Sequence, residues 1–339
     1  MMRRINTIGG CLALLLLAGC SGDTDGVRQQ PVPISLTCSE YTIVEAQTRA
    51  GVDVHNSIVG ENVNIYMPDN TLSGPIVYSV TSTTEANGKN KMTPASAVYL
   101  YPDETPIYGF YPINVTMSDG KVSYSVQTNQ GAEADYMLSD LLFAKNTVVK
   151  SSIATPVNLV FYHLMSKVIV KVKKEDADGI DIVGIRIANI GKTLEYSPGT
   201  YEVDVTGVNS PPASGLTVRD DVGETGITAG TTGNFITEAT TIGDKAGTIT
   251  TCAALIPPQT VGGKKFILID VQGSGDKSHN SGTVAYEIPS GASNSKTFKP
   301  GYTYTLTLGL DRWSFGQTMN ISVSNWSSEE NIAAPRLSI

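Results

Sequence analysis

The side chains that could do chemistry in this chain are few and far apart. His55, His163 and His279 stand more than a hundred residues from one another. His163 is followed closely by Ser166 and Lys167, types that could serve as base and nucleophile. They sit in a run of strand-forming residues, where a single His ordinarily packs or hydrogen-bonds. Asp176-x-Asp178-Gly179-x-Asp181 is acidic enough to attract Ca²⁺, but its spacing breaks the EF-hand loop pattern and reads as a turn. Asp220-Asp221 and Glu329-Glu330 fall in turn or tail sequence. His-Glu-x-x-His, Gly-x-Ser-x-Gly, a P-loop, Gly-x-Gly-x-x-Gly and Cys-x-x-Cys are missing from the sequence. The expectation is a non-enzyme with no cofactor and no metal.

The thiols carry more information. Cys11 and Cys20 flank the apolar run up to Gly19, which follows a start carrying Arg3 and Arg4. A basic start, a short hydrophobic core and small residues before a cut make a secretory signal peptide over residues 1–19. The core is too short to span a bilayer as a helix. Leu17-Ala18-Gly19-Cys20 resembles a bacterial lipobox, which implies cleavage before Cys20 and its acylation, as with palmitate. Acyl chains contribute roughly 0.8 kcal/mol per buried methylene, so two or three anchor firmly. Cys38 and Cys252 remain; both lie at apolar-patterned strand positions and are expected as free, buried thiols.

Behind the tether Gln29-Gln30-Pro31-Val32-Pro33 comes Ile34-Ser35-Leu36-Thr37-Cys38-Ser39, apolar and polar in strict alternation. That is a period-two strand with Ile34, Leu36 and Cys38 on one face. Arg49 follows in a polar stretch, and a second alternating run begins at Val52 and Val54. On spacing alone Arg49 is an ordinary loop arginine.

The rest of the chain is strand and turn. Thr, Ser, Gly, Val and Tyr dominate, which favours strands; charged residues make up only 17%. The net charge of −8 argues against nucleic acid or anionic lipid as partners through charge alone. Short β-type runs at 63–66, 76–80, 97–101, 107–112 and 122–126 alternate with turn chemistry and suit an antiparallel Greek-key sandwich. A short helical turn is expected within 132–144. The polar stretch 145–156 places a boundary at 155/156, after which come strands at 157–161, 167–172, 180–187, 252–257, 266–271, 284–288, 302–310 and 321–326. Residues 207–247, rich in Gly and Thr, read as surface loops or one irregular hairpin. The predicted fold is all-β, two tandem β-sandwich domains. The division is a signal peptide at 1–19, a tether and first strand at 20–49, and domains at 50–155 and 156–339.

Several stretches resemble one family. Phe161-Tyr162-His163-Leu164-Met165-Ser166-Lys167-Val168, Leu255-Ile256-Pro257-Pro258-Gln259-Thr260, Phe298-Lys299-Pro300-Gly301-Tyr302-Thr303-Tyr304 and Ile321 to Trp326 are similar, in order, to motifs of the fimbrillin-like lipoproteins of Bacteroidia. Ile107 to Pro112 is similar to a first-domain motif of the same proteins. The resemblance implies transthyretin-like sandwiches and a type V pilus subunit, carried to the outer membrane as a lipoprotein and supporting adhesion. It further implies an Arg-specific cut, here after Arg49, that removes the first strand with Ile34, Leu36 and Cys38. A strand from another subunit then fills the groove through main-chain hydrogen bonds and side-chain pockets. The implied partners are other fimbrial subunits, the outer membrane before cleavage, and a host or bacterial surface ligand.

In this family the C-terminal extension generally supplies the donor strand. Here only Ser327 to Ile339 follow Trp326, which tilts the expectation toward a tip or accessory subunit over a stalk subunit. The rival expectation is a surface lipoprotein that binds glycans through exposed tyrosines and keeps Cys20 and its lipid.

Overall fold

The computed structural model describes residues 31–40, 58–68, 74–84, 89–152, 155–176, 180–202, 215–230, 249–273, 281–291, 295–311 and 314–325. In the first half the strands are β1 (Val32–Pro33), β2 (Leu36–Glu40), β3 (Asn62–Tyr66), β4 (Ile76–Thr84), β5 (Asn90–Pro94), β6 (Tyr99–Leu100), β7 (Glu104–Tyr111), β8 (Met117–Ser118), β9 (Lys121–Ser125), β10 (Leu142–Val149) and β11 (Val157–His163). One short helix, α1 (Glu133–Met137), precedes β10. The second half continues with β12 (Ser166–Asp176), β13 (Ile180–Ile187), β14 (Gly191–Tyr196), β15 (Thr217–Asp221), β16 (Ile227–Thr228), β17 (Ile249–Ile256), β18 (Thr260–Val261), β19 (Lys264–Gly273), β20 (Ser281–Ile288), β21 (Lys296–Thr297), β22 (Tyr302–Asp311) and β23 (Ser314–Asn325). The fold is all-β, as the composition predicts.

Alternation does the local work. In β9, Val122 and Tyr124 are buried while Lys121, Ser123 and Ser125 are exposed, the period of two that lets a strand cover a core on one side. Seven strands of the first half close on themselves in the order β10-β11-β2-β5-β4-β3-β7, with β7 returning to β10. Their inward side chains, among them Leu36, Val63, Ile65, Tyr78, Leu159 and Phe161, form one core. At one level the interior is full: a Cβ on Gly109 would lie 2.9 Å from the Phe161 ring and 3.3 Å from Ile65 Cδ1, so any larger residue would displace those side chains.

The second half packs sheet β17-β12-β22-β23 against sheet β16-β13-β19-β20. Val168, Val170, Val172, Leu306 and Leu308 join Ile185, Ile267 and Ile269 in its core. Strand β14 from this half pairs with β9 from the first, in a sheet ordered β15-β14-β9-β8. Phe110 and Phe143 extend into the same core, with Phe143 ring-to-ring at 5.5 Å from both Phe110 and Tyr196. The two halves therefore share a sheet and a hydrophobic core.

Sheet membership changes between β11 and β12, close after the 155/156 division that composition suggests. The polar run near 150 holds the end of β10 and a 3₁₀ turn, Lys150–Ser152, inside the first half. The crossover between the two sheets, Leu164-Met165, is buried and so gives no polar signal. The helical turn expected within 132–144 occupies its start, and Leu142 opens β10 instead. Strands β5 and β14 lack a strand signal in their own residues. In β5 only Met92 is buried, and Asn90 and Pro94 at its ends carry turn chemistry.

Candidate functional site: the seated first strand

The alternation Ile34, Leu36, Cys38 does what it predicts. Leu36 and Cys38 are fully buried in the barrel and Ile34 nearly so. Strand β2 lies between two neighbours: antiparallel to β5, with Leu36 opposite Met92, and parallel to β11, with Leu36 opposite Val157 and Cys38 opposite Leu159. Ahead of it, Ile34 N–H donates to the Val98 carbonyl at 3.0 Å, and Val157 N–H donates to the Ser35 carbonyl at 3.0 Å. Strand β1 pairs with β6, Val32 opposite Leu100. Burying three such side chains contributes on the order of 5 kcal/mol gross.

On the outer side of β2 the contacts are polar. Thr37 Oγ1 donates to Asn158 Oδ1 at 3.4 Å, and Asn158 Nδ2 donates to Ser39 Oγ at 3.2 Å. Asn146 Nδ2 holds the Asn158 carbonyl at 2.8 Å. Sequence reasoning missed Asn158; the signal was one amide inside the apolar run Val157 to Phe161.

Strand β11 depends on β2. Its residues Val157 to Phe161 pair with β2, whereas its ladder to β10 holds only Tyr162 and His163. Without β2 the barrel would be open between β5 and β11.

His163, Ser166 and the motif around Gly301 lie at the crossover. His163 Nδ1 and Asp140 Oδ1 are 2.8 Å apart, and Asp140 is buried. The Ser166 hydroxyl donates to the Lys299 carbonyl at 2.8 Å, and Gly301 N–H donates to the Met165 carbonyl at 2.9 Å. Phe298 stacks on Phe266 at 5.0 Å and meets Tyr304 edge-on at 4.8 Å. Gln259 accepts from Gly191 N–H at 2.8 Å and donates to its carbonyl at 2.9 Å. These motif residues thus tie turns and strands together. The His163 imidazole pairs with a carboxylate while the Ser166 proton goes to a backbone carbonyl.

Among the described residues, no group of three His, Cys, Asp or Glu side chains is placed to hold a metal ion. Cys38 and Cys252 are both buried, and neither is in a disulfide. Cys20, Arg49, His55, His279, Asp178 and Trp326 lie outside the described residues.

Residues 48–326 match the fimbrillin-like family. The chain belongs to that family. Solved structures of similar fold include a cell adhesion protein from Bacteroides uniformis, with a TM-score of 0.50 at 18% identity over 87% of this chain and 99% of that one. Another, from Bacteroides ovatus, has a TM-score of 0.54 at 16% identity over 89% and 100%. At such identities the likeness is one of fold. No curated protein matches the chain.

Proposed function

We propose that the chain is a structural subunit of a type V fimbria, built for strand replacement. It is exported as an outer-membrane lipoprotein through Cys20, cut after Arg49, and joined to its neighbours at the cell surface by a donor strand that takes the place of β2. The observation that carries this reading is that a barrel strand is supplied from upstream of Arg49. Cutting there would detach β1 and β2 covalently while their contacts remain noncovalent. The family match begins at residue 48, so β1 and β2 precede it. Replacement by an equivalent strand restores both ladders and refills the sites of Ile34, Leu36 and Cys38, the physics of strand addition.

The test is intact mass and N-terminal sequencing of protein sheared from the cells that make it. A start at Ala50, in a ladder of SDS-resistant oligomers, is the expected result. A start at acylated Cys20 with monomers alone would overturn it. That outcome would leave a glycan-binding lipoprotein, for which Tyr99 and Tyr101 are exposed at 41% and 43%. Gold labelling of intact fibres distinguishes the tip position expected above, a single terminal particle, from a stalk labelled along its length.

A further inference from the structure

We propose that the barrel selects the strand it accepts on both faces, by size inside and through Asn158 outside. The favoured donor carries bulky, any, bulky, Ser/Thr, small, Ser/Thr in successive positions. The inference rests on the strand-replacement reading and adds to it which strands fit.

The size rule follows from what surrounds Cys38. Ile34 and Leu36 are bulky, but Cys38 is small and fully buried. It faces Leu159 directly, and Phe161, two residues further along β11, shares the same core. The Phe161 ring already abuts Gly109, where even one added carbon would sit 2.9 Å from it. A large residue in place of Cys38 would add volume beside Leu159 in this filled core, and close-packed interiors resist added volume.

The outer rule follows from Asn158. A side-chain amide offers one carbonyl acceptor and two N–H donors. Here the carbonyl takes the Thr37 hydroxyl proton and the NH₂ donates to Ser39, so one residue contacts both outward hydroxyls. Thr37 is 1% exposed, so water has little access to replace its bond. A strand with alanine at both positions leaves the amide short of two partners. Unmade bonds at buried sites cost more than made ones gain. Strand β2 runs parallel to β11 and antiparallel to β5, and a donor that keeps this direction brings its hydroxyls to Asn158 in the same order.

The experiment uses the full chain cut after Arg49 by an Arg-specific protease. It is challenged with reduced peptides spanning residues 31–49, and exchange is read by native mass spectrometry. The peptides are the natural sequence, a Thr37→Ala/Ser39→Ala form and a Cys38→Phe form. The natural peptide should enter about tenfold better than the alanine form, the worth of one or two net hydrogen bonds. Asn158→Ala protein should take both equally, and Cys38→Phe should fail on either protein. Equal uptake by the unsubstituted protein, or the same preference in Asn158→Ala, would overturn the Asn158 rule. Free uptake of Cys38→Phe would overturn the size rule.

If no peptide enters, strand replacement itself fails and the donor pattern falls with it. Urea unfolding of the uncut chain then decides whether Asn158 grips a permanent strand. The Asn158→Ala and Thr37→Ala/Ser39→Ala changes, alone and combined, should be non-additive; additivity would remove that role too.

Discussion

The side-chain amide of Gln130 pairs with the backbone of Leu255 as a strand would. Its Nε2 donates to the Leu255 carbonyl at 2.8 Å and its Oε1 accepts from the Leu255 N–H at 2.7 Å. Leu255 lies on β17, at the edge of its sheet, and Gly230 bridges the same edge at Ala253. An edge left open is a template for unwanted pairing. A fully buried glutamine from the first half closes this one and joins the two halves.

Gln130→Ala should therefore leave two buried backbone groups unpaired. The expected loss is about 2–6 kcal/mol, at roughly 1–3 per group. Gln130→Glu keeps an acceptor but loses the donor toward the Leu255 carbonyl, and should cost at least as much. Urea unfolding checks both; the midpoint should fall with little change in slope.

The turn at Gly301 gives a second test. Its φ is +72°, its N–H is bonded to Met165, and an added Cβ would lie 3.3 Å from the His163 carbonyl. Gly301→Ala combines a disfavoured left-handed backbone with a tight contact, and should destabilise by about 1–2 kcal/mol. Far-ultraviolet circular dichroism should stay unchanged while the melting temperature drops. An unchanged melting temperature would mean that the turn adjusts freely.

Much of the β character was legible because alternation is local: Ile34 to Ser39 and Lys121 to Ser125 show their buried faces in their own residues. What was not legible depends on distant partners. Strand β10 carries Lys145, Asn146 and Thr147 in its middle, which looks like a linker until β7 is found beside it. Strand β14 is fixed by β9, from the other half of the chain. At the candidate site Ile34, Leu36 and Cys38 announced themselves. Asn158 did not, because an amide acquires meaning only from the hydroxyls that face it. The family motifs proved to be packing and hydrogen-bonding devices, with Gln259 on Gly191 and Ser166 on Lys299.

Acid stability should depend on Asp270. Burial opposes its ionisation, but hydrogen bonds from Arg186 and Thr283, with the Arg186 charge, outweigh burial and hold its pKa below the ordinary 3.8. The contacts are Arg186 Nη2 to Oδ1 at 2.7 Å, Arg186 Nε to Oδ2 at 3.0 Å and Thr283 Oγ1 to Oδ1 at 2.7 Å. A carboxylate with a depressed folded pKa adds stability that is present above the unfolded value and is lost as pH falls through the folded one. Stability should thus decline below about pH 4, and Asp270→Asn should flatten that part of the curve. At pH 7 the same substitution should cost about 1–2 kcal/mol, the range for a charge-assisted pair at a partly exposed site. Unfolding midpoints between pH 2 and 7 give the comparison; an unchanged acid limb would remove Asp270 from the account.

The thiols test burial and strand removal together. Burial pushes the Cys252 thiol up to about 12, against a smaller opposing effect from its backbone hydrogen bond at Val170. A thiolate is the reactive form, and Cys38 is closed off by burial, so in a chain carrying Cys11→Ser and Cys20→Ser neither Cys38 nor Cys252 should react quickly with a disulfide reagent at pH 8. In urea both should react at once. Because the folded pKa is raised, stability is fully present below the unfolded value near 9 and falls as pH rises toward 12. Cys252→Ala should reduce that alkaline loss at the cost of a small cavity. Once the segment before Ala50 has left, one thiol should go with it as Cys38 and one, Cys252, should remain with the larger fragment. Mass analysis of labelled fragments counts them. Rapid labelling of Cys38 in the uncut native chain would show that β2 opens without cleavage, and that removal of the strand is not what exposes the groove.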